Sequence, residues 1–157
     1  MPCGIRRMML LYYQYNHNPM NIFFAGSIRG GRSHQPAYRL LVDELKKQGT
    51  LFNEHVADDA LSWYGETDLE KEDIHDRELS LLALCDIVVA EVSTPSLGVG
   101  YLIAQAVHLG KPIVCLYQGE DTFKLSAMVK GNKHIQIRTY QDLNELPSIV
   151  QEIVPQH

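Results

Sequence analysis

One junction constrains the fold of this chain more than any other stretch of its sequence. The apolar run at 23–25 stops at a small, basic loop with three glycines, and apolar residues resume at helical spacing from Gln35. A strand that leads through such a loop into a helix is typical of α/β proteins. The loop offers backbone N–H groups to an anion, and Ser27 and Arg29 add a hydroxyl and a guanidinium.

Strand-like and helix-like segments alternate along the chain after residue 20. The run at 86–92, DIVVAEV, is nearly continuous in β-branched residues, as in a central parallel strand. We predict strands over 21–25, 50–55, 86–92, 113–117 and 135–138, and helices over 35–48, 68–84, 99–109, 122–129 and 143–154. This alternation predicts one doubly wound domain, Rossmann-like or flavodoxin-like, with five parallel strands and helices on both faces.

Composition restricts the class of ligand. A chain of 157 residues with 45% apolar residues fits one domain, and its net charge of −5 argues against a nucleic-acid partner. A small anion held by a local arginine remains compatible with that charge. The three cysteines and seven histidines show no metal-ligand spacing, so no metal is expected, and buried reduced thiols favour the cytoplasm.

The first 19 residues differ from the rest of the chain. Their apolar run at 8–13, MMLLYY, is too short to span a bilayer, so no membrane association is expected. We interpret residues 1–19 as a poorly ordered N-terminal extension and residues 20–157 as the domain.

Two loops are candidate phosphate sites, since in doubly wound sheets ligands bind beyond the carboxyl ends of the strands. The glycine spacing of the first loop matches neither the dinucleotide fingerprint nor the P-loop. The alternative for the first loop is a tight turn with solvated arginines. The alternative for the second loop is simple capping of the helix that follows it. The candidate binding residues are Gly26, Ser27, Ile28, Arg29, Gly30 and Gly31 in the first loop, and Ser96, Gly98 and Gly100 in the second.

Four further residues are candidates for chemistry. Glu78 lies on the apolar face of its predicted helix, where a carboxylate is costly unless it is paired or employed. The alternative is that Glu78 lies at the edge of that face and that its carboxylate reaches water. Glu91 ends the central strand near the expected cleft, and His55 follows the second strand, where a structural role is the alternative. Nothing local distinguishes Ser126.

These motifs together resemble those of the 2'-deoxynucleoside 5'-phosphate N-hydrolases, within the nucleoside 2-deoxyribosyltransferase superfamily. The resemblance runs from residue 21 to about 154, in the same order and spacing. Five segments carry it: FAGSIRGGR at 24–32, EHVA at 54–57, DIVVAEV at 86–92, PSLGVGY at 95–101 and LSAM at 125–128.

The resemblance implies a homodimer that hydrolyses the base–deoxyribose bond of deoxynucleoside monophosphates without a metal or cofactor. It implies that Ser27, Arg29, the Gly30-Gly31 turn and Ser96 hold the 5'-phosphate. Ser126 would reach that phosphate from the partner subunit, Ile28 would pack on the base, and His55 would line the pocket.

The chain departs from the family at the catalytic positions. The family chemistry is a retaining displacement by a glutamate, assisted by a second carboxylate and an orienting tyrosine. Here Leu102 occupies the glutamate position and Phe23 the tyrosine position, while Glu78 occupies that of an aspartate. Glu91 is a candidate displaced nucleophile.

Three functions therefore remain open from the sequence. The first is a deoxynucleotide N-glycosidase with altered or weakened chemistry that uses Glu78 and Glu91. The second is a relative that binds or senses a nucleoside monophosphate without cleaving it, which Leu102 favours. The third is a glycosidase acting on a ribonucleotide or a modified base.

Overall fold

Five strands form one parallel sheet in the order β2-β1-β3-β4-β5. The computed structural model describes residues 19–31, 33–62 and 64–154. Apart from Pro19, the proposed N-terminal extension lies outside these residues. The strands are β1 (Met20–Ala25), β2 (Gly49–Phe52), β3 (Ile87–Glu91), β4 (Ile113–Gln118) and β5 (Ile135–Tyr140). This order confirms the predicted flavodoxin-like arrangement.

Helices cover both faces of the sheet. They are α1 (Gln35–Lys46), α2 (Lys71–Leu84), α3 (Leu97–His108), α4 (Ala127–Lys130) and α5 (Leu146–Ile153). The sheet has a hydrophobic core on each face. Alternate residues of β1 contribute to one core or the other, because successive side chains of a strand point to opposite faces. Phe24 packs in the cluster that includes α1 and α5, and Phe23 in the cluster that includes α2 and α3.

Most boundary differences from the sequence predictions follow from local backbone chemistry. The second strand ends at Phe52 rather than at residue 55, because Asn53 adopts a left-handed φ of 66° and a 3₁₀ turn follows over Glu54–Ala57. The fifth strand continues to Tyr140 because it pairs with β4 as far as Gln118.

Three predicted helices begin later than the sequence pattern indicates. The one predicted over 68–84 begins at Lys71, after the extended residue Glu70. The one predicted over 122–129 is a 3₁₀ turn, Thr122–Lys124, separated from α4 by two extended residues. The closing helix begins at Leu146, after a 3₁₀ turn capped by Asp142.

The order of the strands creates one crevice at the carboxyl edge of the sheet. β1 and β3 are neighbours, yet β1 leads towards β2 on one side and β3 leads towards β4 on the other. Their loops diverge at this switch point, where ligands of open α/β sheets bind. No helix among the described residues is long and apolar enough to cross a membrane.

The two cysteines within the described residues are free and buried. Burial raises the pKa of Cys85 to about 11 and that of Cys115 to about 12. Both thiols therefore stay protonated and unreactive at neutral pH. They act as small apolar side chains of the core that contains α2 and α3.

Candidate active site

The loop after β1 presses closely against the loop after β3. Gly30 lies so near that a Cβ there would overlap the backbone carbonyl oxygen of Pro95 and the hydroxyl oxygen of Ser27. Glycine is therefore required by close approach, and the next residue, Gly31, needs it for its φ of +129°. His34 Nδ1 adds a hydrogen bond of 2.8 Å to Thr94 Oγ1 between the same loops.

Ser27 stands at the centre of this contact with an unsatisfied side chain. The residue is fully buried, and its backbone N–H donates to the Tyr38 hydroxyl at 3.1 Å. Among the described residues its Oγ has no hydrogen-bond partner. A buried hydroxyl without a partner costs about 1–3 kcal/mol, so a ligand oxygen that bonded it would recover that energy.

Arg29 extends from the exposed side of the same loop. Its Nε donates to the backbone carbonyl oxygen of Tyr64 at 2.8 Å. This bond ties the guanidinium to the segment Tyr64–Glu66, which forms one wall of the crevice.

The second loop begins α3 with a side-chain cap. Ser96 is the N-cap residue, and its Oγ accepts from the Val99 N–H at 3.4 Å. Gly98 follows in the first turn of the helix. A Cβ at Gly100 would meet no protein atom within 4 Å, so its neighbourhood within one chain is open.

A cavity of about 580 Å³ lies between these loops and the start of α2. That volume suits a nucleotide-sized ligand. Nine of the sequence-predicted positions line it: Gly26, Ile28, Arg29, Gly30, His55, Glu78, Ser96, Gly98 and Leu102. Six others do not: Phe23, Ser27, Gly31, Glu91, Gly100 and Ser126.

Glu78 projects from α2 into this cavity with both carboxylate oxygens held. Oε2 accepts a very short hydrogen bond from Asn53 Nδ2. Oε1 accepts from Arg77 Nη2 at 2.8 Å and from Arg77 Nε at 3.2 Å. The Glu78 side chain is 13% exposed and lines the cavity.

A second carboxylate, Glu66, reaches the cavity from the segment before α2. Its oxygens accept two hydrogen bonds from Arg77, at 2.8 and 2.5 Å, and His55 Nε2 lies 3.4 Å from Oε2. The paired hydrogen bonds from Arg77 hold the pKa of Glu66 below its usual range, and Glu66 in turn raises the pKa of Arg77. Both groups are charged at neutral pH.

A polar pair marks the edge of the cavity between α2 and α3. His75 Nε2 lies 3.0 Å from the Tyr101 hydroxyl, and its Nδ1 lies 2.9 Å from Asp76 Oδ1. His75 and Glu78 thus share one face of α2, as the helical spacing indicates.

The two departures from the family pattern lie on the same side of the sheet. Leu102 lines the cavity from α3 and is partly buried against the core that contains fully buried Phe23. Neither side chain can accept a proton or attack a carbon atom. Among the described residues, the carboxylates that line the cavity are Glu66 and Glu78.

Glu91 does not reach the cavity, because its side chain points to the opposite face of the sheet. It is fully buried, and its carboxylate accepts from the Ser93 hydroxyl and from the Tyr140 hydroxyl, the latter at 3.1 Å. Ser93 Oγ also accepts from the Gln118 N–H at 2.7 Å. The residue therefore joins β3, β4 and β5, and its carboxylate lies out of reach of a ligand in the cavity.

Burial of Glu91 makes the stability of the fold depend on pH. It raises the pKa of this carboxyl from 4.5 to about 7, while burial keeps Tyr140 and Cys115 protonated. The folded state therefore holds a proton that the unfolded state releases near pH 4.5. The contribution of Glu91 to the free energy of unfolding is fully present below that pH and is lost as the pH rises through 7. The loss is on the order of 3 kcal/mol.

Urea unfolding between pH 5 and pH 8 measures this loss. The Glu91→Gln variant keeps the hydrogen-bonding shape without the titrating proton, so we expect it to lose about 3 kcal/mol less over that range. Parallel pH dependences for the two proteins would contradict the assignment.

Ser126 does not line the cavity within one chain. It is exposed and precedes α4, and the apolar side chains of Phe123 and Met128 beside it are 85% and 84% exposed.

Four residues of the site were not identified from the sequence: Asn53, Glu66 and Tyr101, which line the cavity, and Arg77, which holds Glu66 and Glu78. A left-handed asparagine directly after a strand is a recognisable signal for Asn53. Arg77 and Glu66 gave none, since their contact depends on how the irregular segment before α2 folds back. No cluster of potential metal ligands occurs within the described ranges.

Known proteins resemble this chain in both sequence and fold. It is 47% identical over 114 residues to the 5-hydroxymethyl-dUMP N-hydrolase of Mus musculus, covering 72% of this chain and 66% of that protein. It is 41% identical over 136 residues to the Danio rerio protein of the same name, covering 85% and 94%.

A solved structure, the CMP N-glycosidase BcmB of Clostridium botulinum, superposes with a TM-score of 0.60 at 15% identity. The superposition covers 84% of this chain and 98% of that one, and at this identity it supports the fold alone. The family model described as nucleoside 2-deoxyribosyltransferase matches residues 22–139. The chain therefore belongs to the nucleoside 2-deoxyribosyltransferase family.

Proposed function

We propose that this protein hydrolyses the N-glycosidic bond of a 2'-deoxynucleoside 5'-monophosphate to a free base and deoxyribose 5-phosphate. The observation that carries the proposal is the composition of one cavity. The glycine-rich loop with Arg29 lies at one side and the fixed carboxylate of Glu78 at another. The relatives named as 5-hydroxymethyl-dUMP N-hydrolases make that nucleotide the first substrate to test.

The loop supplies the groups that a 5'-phosphate needs. Arg29 uses Nε on Tyr64, which leaves the terminal guanidinium nitrogens as the donors for phosphate oxygens. The N-terminus of α3 at Ser96 lines the same cavity, and the buried, unpaired hydroxyl of Ser27 lies directly behind the loop at Gly30. The phosphate would anchor the nucleotide, with Ile28 against the base.

The carboxylates suit the charge that develops at the sugar. When the C1'–N bond breaks, its electron pair leaves with the base and positive charge develops on the sugar. The Arg77 guanidinium offsets the charge of its partner Glu66, so the Glu78 carboxylate leaves a net negative charge beside the cavity. Water then adds its oxygen to C1', and we assign Glu78 to take the proton that this water releases. Return of that proton to the nitrogen of the departed base gives the free base and restores the Glu78 carboxylate.

Leu102 specifically favours a second candidate function. Without a carboxylate at this position the protein has no nucleophile for the displacement of the family. A protein that binds a nucleoside monophosphate without cleaving it would need the loop and not Glu78.

A homodimer with Ser126 crossing to the partner's phosphate site is part of the proposal. The exposed apolar side chains near Ser126, together with Leu97 at 96% exposure beside the cavity, support a covering subunit. Sedimentation that gave only a monomer mass would contradict it. A cytoplasmic location, supported by the two free buried thiols, completes the proposal.

Arg29→Ala tests the phosphate site. We expect it to weaken binding of a deoxynucleoside monophosphate by roughly 10–100-fold, because a charge-assisted contact is lost. Binding of the matching nucleoside should change by less than about threefold, since that ligand carries no phosphate. Calorimetry of both ligands measures the difference.

Arg138→Ala is the matched control, because this arginine pairs with Glu152 outside the cavity. It should leave both affinities unchanged. If Arg29→Ala weakens the nucleoside as much as the monophosphate, Arg29 does not hold the phosphate.

A further inference from the structure

One guanidinium nitrogen joins the two carboxylates of the cavity. Arg77 Nη2 lies 2.5 Å from Glu66 Oε2 and 2.8 Å from Glu78 Oε1. The two carboxylate oxygens are thus no further apart than the sum of these distances.

The contact between Arg77 and Glu78 is unusual for a helix. Adjacent residues of an α-helix point in directions about 100° apart, so their side chains do not normally meet. Arg77 must therefore fold back along α2 to reach its neighbour. Its two hydrogen bonds to Glu66, from Nη1 and Nη2, hold it in that folded-back position.

Asn53 completes the fixation of Glu78 from the other side. Its Nδ2 donates to Oε2, while Arg77 holds Oε1 through Nε and Nη2. Donors on both oxygens, from two different elements, leave the carboxylate one orientation in the cavity. Only the Arg77 part of this arrangement depends on Glu66.

We propose that Arg77 and Glu66 are positioning residues for Glu78, with Glu66 holding the guanidinium that sets the Glu78 carboxylate. This inference rests on the proposed function, in which Glu78 handles the proton of the attacking water. Neither residue needs to touch the substrate. Their effect on turnover passes through Glu78 alone.

A surface ion pair of ordinary kind would behave differently. It would contribute about 0–1 kcal/mol to stability and leave the chemistry unchanged. A positioning role predicts instead that kcat falls while KM stays, because misplacing a catalytic group by about 1 Å can cost about 100-fold. It also predicts that the two residues act as one unit.

The kinetic test uses Arg77→Gln, Glu66→Gln and the double variant. We expect Arg77→Gln to lower kcat by roughly 10–100-fold with KM within about threefold, and Glu66→Gln to lower it less. The double variant should equal Arg77→Gln, since Glu66 acts only through Arg77. Effects that multiply, or an unchanged kcat in Arg77→Gln, would overturn the proposal.

Arg77→Lys tests whether shape or charge matters. A lysine keeps the charge but has one nitrogen, which cannot bond Glu66 twice and still reach Glu78. We expect no rescue of kcat in Arg77→Lys, and rescue to the original value would overturn the positioning role. Arg138→Gln, which breaks an ion pair elsewhere, is the control, and the melting temperature confirms that each variant folds.

Crystal structures of the original protein and Arg77→Gln separate this inference from the proposed function. We expect the guanidinium bridge in the first and a displaced Glu78 carboxylate in the second. A carboxylate that kept its position without Arg77 would overturn the inference whether or not the protein has activity. Absence of hydrolysis in the original protein would refute the proposed function and leave this structural outcome decisive.

Discussion

Glu78→Gln is expected to lower kcat for base release from a deoxynucleoside monophosphate by roughly 100-fold or more. Glutamine keeps the size of the side chain, and its amide cannot take a proton from water. Affinity for the monophosphate should change by less than about threefold, because the loop around Arg29 is intact. Liquid chromatography of the released base measures the rate, and calorimetry measures binding.

Glu72→Gln provides the matched control for that substitution. Glu72 is an exposed glutamate in the first turn of the same helix, so its loss should leave kcat unchanged. Unimpaired base release by Glu78→Gln would remove Glu78 from the chemistry.

Leu102→Glu is expected to raise kcat by roughly 100-fold, the second large effect. Leu102 lines the cavity from α3, at the position where the resembled family carries its nucleophile. A carboxylate there can attack C1' and divide one difficult step into two easier ones. The intermediate should be detectable by mass spectrometry as deoxyribose 5-phosphate bound to the protein.

Leu102→Gln separates nucleophilic attack from a polar effect. Its amide has nearly the same shape as the glutamate and is a poor nucleophile, so it should not raise kcat. A further gain in the Phe23→Tyr/Leu102→Glu double variant would show that the tyrosine position matters as well. A Leu102→Glu protein that binds substrate and turns over no faster would contradict the reading of Leu102 as the vacated nucleophile position.

The fold was predictable because its signals are local. The β-branched run at 86–92 and the glycine-rich junction before α1 together define parallel strands joined by helices, and the structure confirms five of them. Gly30 was identifiable as a contact position from its loop, although its partner, the Pro95 carbonyl, was not.

The catalytic side of the cavity was only partly predictable. The costly position of Glu78 on the apolar face marks it in the sequence, whereas no sequence signal distinguishes Arg77. Its role appears only when the irregular segment before α2 brings Glu66 alongside. Glu91 ends its strand at the expected edge of the sheet, but the direction of its side chain was not predicted. The alternation of side chains along β3 turns it towards Tyr140 and away from the cavity.

One measurement tests the central claim most directly: release of free base with the protein in excess over substrate. The substrates are 5-hydroxymethyl-dUMP, the four common deoxynucleoside monophosphates and CMP. We predict equal amounts of free base and deoxyribose 5-phosphate from at least one deoxynucleotide, and none from the Glu78→Gln protein. The account would be contradicted by a deoxynucleotide that binds tightly in calorimetry but is hydrolysed no faster than by the Glu78→Gln protein. That result would leave a protein that binds nucleotides without cleaving them.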